Sequence, residues 1–321
     1  MTKGALALLI TGGTENWAPL RWRERFLRIC PDRAVALIPD DAIDPSLVTY
    51  AAVWKPKPGA LSDFPKLEVI FNLGAGVDAV VSDLTLPPVP LVRVAVDDLT
   101  KRMTEYVVMH VLMHHRRQGY YAESQRGKVW APKLQWAARD LRVGIMGLGV
   151  LGRDAAEVLA RIGFDVAGWS STWKSIPGIK CFAGESQLED FLARTDVLVC
   201  LLPLTPQTRG ILNRRTFSKL ARDGKLGGPV IINAGRGGLQ NEDDLLAALD
   251  DGTLLAATLD VFHTEPLPAD SPFWSHRQVT LSPHNAADTE PDAISLYVAE
   301  QIARHERGKP LENVVDRGTG Y

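Results

Sequence analysis

The sequence predicts an α/β fold of two doubly wound parallel-sheet domains with a cleft between them. Two observations carry this prediction: short apolar runs alternate with helical segments, and the alternation occurs twice, in separate parts of the chain. A glycine-rich turn near the start of the second part supports it further. Strands that alternate with helices are typical of parallel sheets whose two faces are covered by helices.

The first series of apolar runs is bounded by Pro, Gly and Asp, and each run is rich in Val, Ile, Leu and Ala. Such short runs are typical of buried parallel strands. The runs are Ala5–Ile10, Ala34–Ile38, Ala51–Trp54, Leu67–Leu73 and Leu91–Val94. A single helix is predicted over Leu99–Tyr121, because its apolar residues repeat at helical spacing from Met103 onwards.

The second series has the same character, with helical segments between most of its runs. Its runs are Leu141–Met146, Asp165–Trp169, Val197–Leu202, Val230–Ala234, Ala256–Val261 and Gln278–Leu281. The segment Asp292–Arg307 then reads as an amphipathic helix that ends at Gly308 and Pro310. We therefore expect two α/β units, with boundaries near residues 98 and 285.

The charge and composition exclude several classes of protein. The 321 residues include 36 Lys and Arg against 38 Asp and Glu, so a basic surface for nucleic acid is not expected. No apolar stretch reaches the roughly 18 residues of a membrane span. The three cysteines, Cys30, Cys181 and Cys200, show neither metal-ligand spacing nor a disulfide framework. A cytoplasmic protein without a bound metal is the prediction.

A glycine loop, Gly147-Leu148-Gly149-Val150-Leu151-Gly152, follows a predicted strand and begins a predicted helix. In that context Gly147 permits a tight turn, Gly149 lets the backbone approach a pyrophosphate, and Gly152 permits close packing of helix and strand. The first N–H groups of the helix are suited to bind phosphate. The loop thus predicts a Rossmann-type dinucleotide-binding domain.

Three strand-end loops of the second series carry side chains that suit hydride transfer to a 2-keto acid: Arg236, Glu265 and His284. A guanidinium can hold a carboxylate through paired hydrogen bonds. An imidazole can donate a proton to the carbonyl oxygen, and a neighbouring carboxylate would fix its tautomer. Each residue has a simpler alternative: a solvated Arg, an exposed loop Glu, and a structural His. Their shared position at the carboxyl edge of one sheet favours the catalytic interpretation.

The loop after the second strand of this series bears on the choice of dinucleotide. An NAD site is expected to place an acidic residue there, but none occurs before Glu185. The loop instead contains hydroxyl and ammonium groups, which would accept a 2′-phosphate, on Ser170, Ser171, Thr172 and Lys174. NADP(H) is therefore the preferred cofactor and NAD(H) a possible one. The alternative is a loop that ignores the 2′ position.

Several motifs together resemble the D-isomer-specific 2-hydroxyacid dehydrogenase family, including its reductases of glyoxylate and hydroxypyruvate. The resemblance extends over nearly the whole chain. The matching segments are Phe71–Asp78, Gly147–Gly152, Leu202–Thr208, Asn233–Gly237, Asp260–Leu267, Ser282–Ala287 and Asn313–Asp316. Reductases of this kind often carry an Arg where this sequence has Ser171.

The resemblance implies the roles of the site residues. Arg236 would anchor the substrate, Glu265 would pair with the histidine, and His284 would be the general acid and base. Further cofactor contacts would come from Leu202, Pro203, Ala234, Gly235 and Asp260. Substrate contacts would come from Trp54 and from Leu73, Gly74, Ala75 and Gly76, whose N–H groups can face an anion. A plain structural turn and a core Trp are the alternatives for these last residues.

The resemblance also implies the domain organisation and the activity. Residues 1–98 and 286–321 would form the substrate (catalytic) domain, of flavodoxin-like type, and residues 99–285 the dinucleotide-binding domain. The helix near residues 100–120 would make a homodimer, although its apolar stripe could equally be core. The expected activity is NADPH-dependent reduction of small 2-keto acids, glyoxylate and hydroxypyruvate. The alternatives are a dehydrogenase for another 2-keto acid and a dinucleotide-sensing interaction protein.

Overall fold

The computed structural model describes residues 3–12 and 17–318. The chain divides into two compact units. Unit 1 comprises Met1–Leu99 and Thr289–Tyr321, and unit 2 comprises Thr100–Asp288. Each unit is built on one parallel sheet, so the predicted α/β fold with two parallel sheets is confirmed.

The described part of unit 1 contributes five strands to its sheet. They are β1 (Ala5–Ile10), β2 (Val35–Leu37), β3 (Val48–Trp54), β4 (Val69–Asn72) and β5 (Leu91–Arg93). All pair in parallel, in the order β2-β1-β3-β4-β5. The helices of this unit are α1 (Pro19–Ile29), α2 (Asp78–Val81) and α9 (Pro291–Glu306).

Strand β1 shows why the apolar runs lack an alternating polar pattern. Leu6 and Leu8 are buried in one apolar cluster, whereas Ala7 and Leu9 are buried in another. Successive side chains of a strand point to opposite faces of the sheet, so both faces are covered. A strand buried on both faces has no position that favours a polar side chain.

Helix α3 (Asp97–His115) begins in unit 1 and continues into unit 2. The other helices of unit 2 are α4 (Gln118–Arg126), α5 (Val150–Ile162), α6 (Leu188–Ala193), α7 (Arg214–Lys219) and α8 (Glu242–Asp250). Its strands are β6 (Arg142–Met146), β7 (Asp165–Ser170), β8 (Lys180–Ala183), β9 (Val197–Cys200), β10 (Val230–Asn233), β11 (Ala256–Leu259) and β12 (Val279–Leu281).

The seven strands of unit 2 are parallel and run in the order β12-β11-β10-β9-β6-β7-β8. Strand β6 lies between β7 and β9, so the chain reverses its direction of winding at β6. Ligands of doubly wound sheets bind at such a point, beyond the carboxyl ends of the strands. The glycine loop directly follows β6 and therefore lies at this point.

Two elements differ from the sequence prediction. The helix predicted over Leu99–Tyr121 is wrong in its extent, because α3 ends at His115 and α4 begins at Gln118. Arg117 between them has a left-handed backbone (φ 55°), and its guanidinium donates to the carbonyls of Lys225 and Leu226. Strand β8 was not predicted; it is a short edge strand that, among the described strands, pairs with β7 alone. Among the described helices, none is both long and apolar enough to cross a bilayer.

Helix α9 completes the core of unit 1, and this packing can be tested by one pair of substitutions. Ile302 is 2% exposed, whereas Leu296 on the same helix is 58% exposed. We expect Ile302→Ala to lower the free energy of unfolding by about 2–5 kcal/mol, since it leaves a cavity. Leu296→Ala should change it by less than about 0.5 kcal/mol. Urea denaturation followed by circular dichroism measures both, and equal effects would contradict this packing.

Candidate active site

The glycine loop is built as its sequence predicts. Gly147 has a φ of +110°, and a Cβ at this position would lie 2.9 Å from the carbonyl of Leu201. A Cβ on Gly152 would lie only 1.8 Å from the carbonyl oxygen of Gly147. Both glycines are therefore required by the protein itself, for a left-handed turn and for close packing of α5 on the loop.

Gly149 is different, since a Cβ built there meets no described atom within 4 Å. Open space above the backbone is what a bound pyrophosphate needs. Helix α5 begins directly after Gly149 and has neither a side-chain cap nor an acidic residue in its first turn. Its first N–H groups are thus suited to an anion, and this cradle fits a dinucleotide.

The loop after β7 presents polar groups without an acidic one. The hydroxyl of Ser170 is buried and donates to the carbonyl of Thr172 at 2.8 Å, which shapes the turn. The following residues, Ser171–Lys174, are exposed. Glu185, the first acidic residue after β7, lies beyond β8. No carboxylate on this loop can therefore accept from a ribose 2′-hydroxyl or repel a 2′-phosphate.

Arg236 lies in the turn that follows β10. The buried amide of Asn233 donates to the carbonyl of Arg236 at 3.2 Å and to the side chain of Gln240 at 2.9 Å, while its oxygen accepts from the N–H of Gly235. Gly237 permits the turn, because a Cβ there would lie 2.0 Å from the carbonyl of Phe262. The backbone that carries the half-buried Arg236 is thereby held from both sides.

Glu265 and His284 come together although 19 residues separate them. The Nδ1 of His284 lies 2.7 Å from Oε2 of Glu265, and the other carboxylate oxygen accepts from the N–H of Phe262 at 3.1 Å. The His284 side chain is 37% exposed and that of Glu265 is 25% exposed. A carboxylate can only accept, so Nδ1 carries the proton and Nε2 is left to act on a substrate.

Asp260, at the end of β11, organises the loop that carries His284. Its carboxylate is 2% exposed and accepts from the hydroxyl of Ser282 at 2.7 Å and from the N–H groups of Asn285 and Ala286. Its backbone carbonyl accepts from the N–H of His284 at 2.8 Å. Asp260 was assigned to the cofactor, and that assignment stays a prediction. In this structure its carboxylate bonds to the loop at residues 282–286.

The remaining candidate cofactor residues lie at neighbouring strand ends. Leu202 and Pro203 follow β9, and Ala234 and Gly235 follow β10, so both pairs lie at the same edge of the sheet as the glycine loop. The hydroxyl of Thr208 donates to the carbonyl of Pro203 at 2.7 Å, which closes the loop between them. Their contacts with a cofactor stay predictions.

The candidate substrate residues Trp54, Leu73, Gly74, Ala75 and Gly76 belong to unit 1. The indole of Trp54 packs on Gly74, where a Cβ would lie 2.4 Å from the ring. The amide of Asn72 donates to the carbonyls of Gly74 and Gly76 at 2.7 and 3.0 Å. These carbonyls are therefore turned inward, as a loop that presents N–H groups to an anion requires. Substrate binding here stays a prediction.

The sequence assigned no role to the groups that support these loops. Asn233 was noted within a motif, but its bond to Gln240, and the bond of Ser282 to Asp260, were not expected. A buried polar residue directly after an apolar run is the one signal that could have indicated Asn233. For metals, residues 3–12 and 17–318 contain no group of three or more His, Cys, Asp or Glu side chains that could hold an ion.

Comparison with known proteins places the chain among dehydrogenases. The family profile described as D-isomer specific 2-hydroxyacid dehydrogenase, NAD binding domain, matches residues 108–286. Glyoxylate/hydroxypyruvate reductase A of Yersinia enterocolitica is 44% identical over 278 residues, which cover 85% of this chain and 87% of that protein. The enzyme of the same name from Serratia proteamaculans is 42% identical over the same shares.

Solved structures are similar over the full fold. The NADPH-dependent glyoxylate/hydroxypyruvate reductase of Sinorhizobium meliloti, in complex with NADP and sulfate, has a TM-score of 0.93 and 44% identity, covering 99% of this chain and 100% of that one. A probable 2-hydroxyacid dehydrogenase of Rhizobium etli, bound to NADP, HEPES and L(+)-tartaric acid, has the same score, identity and coverage. By profile, sequence and structure, this chain belongs to the D-isomer specific 2-hydroxyacid dehydrogenase family.

Proposed function

We propose that this protein catalyses the NADPH-dependent reduction of small 2-keto acids, glyoxylate and hydroxypyruvate, to 2-hydroxy acids. The observation that carries the proposal is the 2.7 Å contact between His284 and Glu265, at the same sheet edge as Arg236 and the glycine loop. The names of the Yersinia, Serratia and Sinorhizobium relatives support this substrate class. The NADP complexes of the Sinorhizobium and Rhizobium proteins support the cofactor.

The mechanism follows from the charges and hydrogen bonds of this site. The nicotinamide, when bound, supplies a hydride to C2 of the keto acid. Arg236 binds the substrate carboxylate with paired N–H donors and withdraws charge from the adjacent carbonyl. His284 donates the proton of Nε2 to the carbonyl oxygen, so that a 2-hydroxy acid is formed. Glu265 holds the ring through Nδ1 and stabilises its positive charge before the transfer.

We also propose how the chain is organised around this reaction. Residues 99–285 would form the dinucleotide-binding domain, because the glycine loop lies there. Residues 1–98 with 286–321 would form the substrate domain. A cytoplasmic location is proposed as well, and a homodimer with α3 at its interface. The exposed apolar side chains of Met109 on α3, and of Val129 and Trp130 after α4, support the dimer. Light scattering during size-exclusion chromatography measures the mass, and a monomer would contradict the dimer.

The activity is tested by the loss of reduced-nicotinamide absorbance when a keto acid is added. Glyoxylate, hydroxypyruvate, pyruvate and a bulky keto acid are compared with NADPH and with NADH. Turnover fastest with the two small acids is the expected result. Fastest turnover of the bulky acid would favour a family dehydrogenase of another substrate. Binding of NADPH without turnover of any acid would favour the sensing protein.

Replacement of His284 tests the proton donor. His284→Asn should lower kcat by about 10²–10⁴-fold, because the transition state loses its general acid, while the Kd for NADPH changes little. The matched control is His263→Asn, since His263 is exposed in the loop that carries Glu265. Steady-state kinetics and a fluorescence titration with NADPH measure both effects. A loss of less than about fivefold in kcat would exclude His284 from this role.

Replacement of Arg236 by Lys tests carboxylate recognition. The ammonium keeps the charge but not the planar pair of donors, so kcat/KM for glyoxylate should fall about tenfold or more, with a higher KM. Arg214→Lys is the control, because Arg214 pairs with Asp251 at the surface of the same unit. Kinetics that are unchanged in Arg236→Lys would place the substrate carboxylate elsewhere.

Replacement of Lys174 tests the choice of cofactor. The parent should prefer NADPH over NADH about tenfold or more in kcat/KM, since an ammonium that hydrogen-bonds to a 2′-phosphate contributes about 1.5–3 kcal/mol. Lys174→Ala should reduce this preference and leave NADH kinetics unchanged. Lys180→Ala, which removes an exposed ammonium of β8, should change neither. Equal use of both cofactors by the parent would show that the loop ignores the 2′ position.

A further inference from the structure

A chain of two hydroxyl groups, that of the buried Tyr106 and that of the half-buried Ser282, contacts the loop that carries His284. The hydroxyl of Tyr106, on α3, lies 2.8 Å from Oγ of Ser282, and Oγ of Ser282 lies 2.7 Å from Oδ1 of Asp260. The Asp260 carboxylate accepts from two backbone N–H groups, and because a carboxylate can only accept, Ser282 is the donor in its contact with Asp260. Because Ser282 donates its one hydroxyl proton to Asp260, it can only accept from Tyr106, and the Tyr106 hydroxyl is the donor in that contact.

Tyr106 is a fixed point from which such a chain can act. Its side chain is 8% exposed and belongs to the apolar cluster that contains Met103 and Val107 of the same helix. Its ring also packs on His110, with 4.3 Å between the ring centroids. Burial raises the pKa of the Tyr106 hydroxyl, so the group stays a donor at neutral pH. A helix held by packing on this scale moves less than the loop that it contacts.

The loop needs such support because of its backbone. His284 has a φ of 54°, a left-handed backbone conformation that residues other than glycine rarely adopt. Strained residues of this kind persist only where the surroundings hold them. Here Asp260 stabilises the strained residue. Its carbonyl accepts from the N–H of His284, and its carboxylate accepts from the N–H groups of the next two residues.

Two histidines of α3, His110 and His114, do not take the place of Ser282 as a donor to the Asp260 carboxylate. Burial lowers the pKa of His110, and it lowers that of His114 to about 4, so both rings are neutral at neutral pH. His114 is bonded to Thr258 at 2.8 Å rather than to Asp260. The bonds to the Asp260 carboxylate in this structure come from Ser282 and the loop itself.

We propose that Tyr106 is a positioning residue for the reaction. Through its hydrogen bond to Ser282, and through Asp260, Tyr106 fixes the position of His284. The proposal rests on the proposed function, since the residue that the hydroxyl chain positions, His284, is the proton donor of that reaction. Tyr106 touches neither His284 nor Glu265 by any described hydrogen bond, so its effect is transmitted by the loop backbone.

The first test is Tyr106→Phe, which removes the hydroxyl and keeps the ring. We expect kcat to fall about three- to tenfold, the cost of one lost hydrogen bond, with the Kd for NADPH unchanged. Tyr297→Phe is the matched control in unit 1, because its hydroxyl accepts from the amide of Asn313 at 2.8 Å. It should leave kcat unchanged. A parent-like kcat in Tyr106→Phe overturns the proposal.

The second test asks whether Tyr106 acts through His284. In a His284→Asn background the rate no longer depends on the place of the imidazole, so Tyr106→Phe should cause no further loss. An equal loss in both backgrounds would show a general effect on the fold and overturn the proposal. If Tyr106→Phe does not fold, Ser282→Ala breaks the same chain and takes its place in the cycle.

A third measurement is independent of turnover. Backbone hydrogen exchange at Asn285 and Ala286 should be about three- to tenfold faster in Tyr106→Phe than in the parent, and unchanged in Tyr297→Phe. Unchanged exchange in Tyr106→Phe overturns the proposal even if the protein reduces no keto acid. Faster exchange in a protein without turnover supports the hydroxyl chain while contradicting the proposed function, so the two failures are distinguishable.

Discussion

The geometry of the parallel sheet in unit 2 is the constraint on which the candidate site depends. Its central strands β9 and β10 are buried along their whole length, so the candidate reactive side chains lie in the loops at the strand ends. Because the strands run in one direction, all their carboxyl ends lie at one edge. The glycine loop, Arg236, Glu265 and His284 share that edge although the chain separates them by more than a hundred residues in total.

At this edge of the sheet, the buried carboxylate of Asp260 fixes the loop that carries His284. A carboxylate that is removed from water is costly unless hydrogen bonds replace the water, and Asp260 obtains these from a hydroxyl and two N–H groups of one loop. The need of the charge for donors and the need of the loop for acceptors are met by the same bonds. The backbone position of the loop that carries His284 thus follows from the hydrogen bonds that a buried carboxylate needs.

Much of the fold could be predicted from sequence because its signals are local. Apolar runs mark the buried strands, and the spacing of Gly147, Gly149 and Gly152 marks the turn into α5. The edge strand β8 was missed because Lys180–Ala183 is short and buried only in part. The helix break at Arg117 was missed because its cause is distant: the carbonyls of Lys225 and Leu226, about a hundred residues away.

The candidate site likewise has parts that a local sequence pattern predicts and parts that depend on contacts between distant residues. The loops that carry Arg236, Glu265 and His284 could be named from strand order alone, since each follows an apolar run. The support of those loops could not be named, because it consists of contacts without a sequence pattern. Tyr106 and Ser282 are 176 residues apart, and nothing in their spacing relates them. Asn233 and Gln240 are close in sequence, but their amide pair is a feature of the folded turn.

The two segments of unit 1 have a consequence for how the chain folds during synthesis. Ile294, Val298 and Ile302 of α9 cover the same cluster as Leu6 and Leu8 of β1, yet the ribosome makes them after the whole of unit 2. Unit 2 is continuous and can close its core first. Until α9 emerges, α1 covers only part of this apolar face and the rest stays open to water, and exposed apolar surface of this kind promotes aggregation.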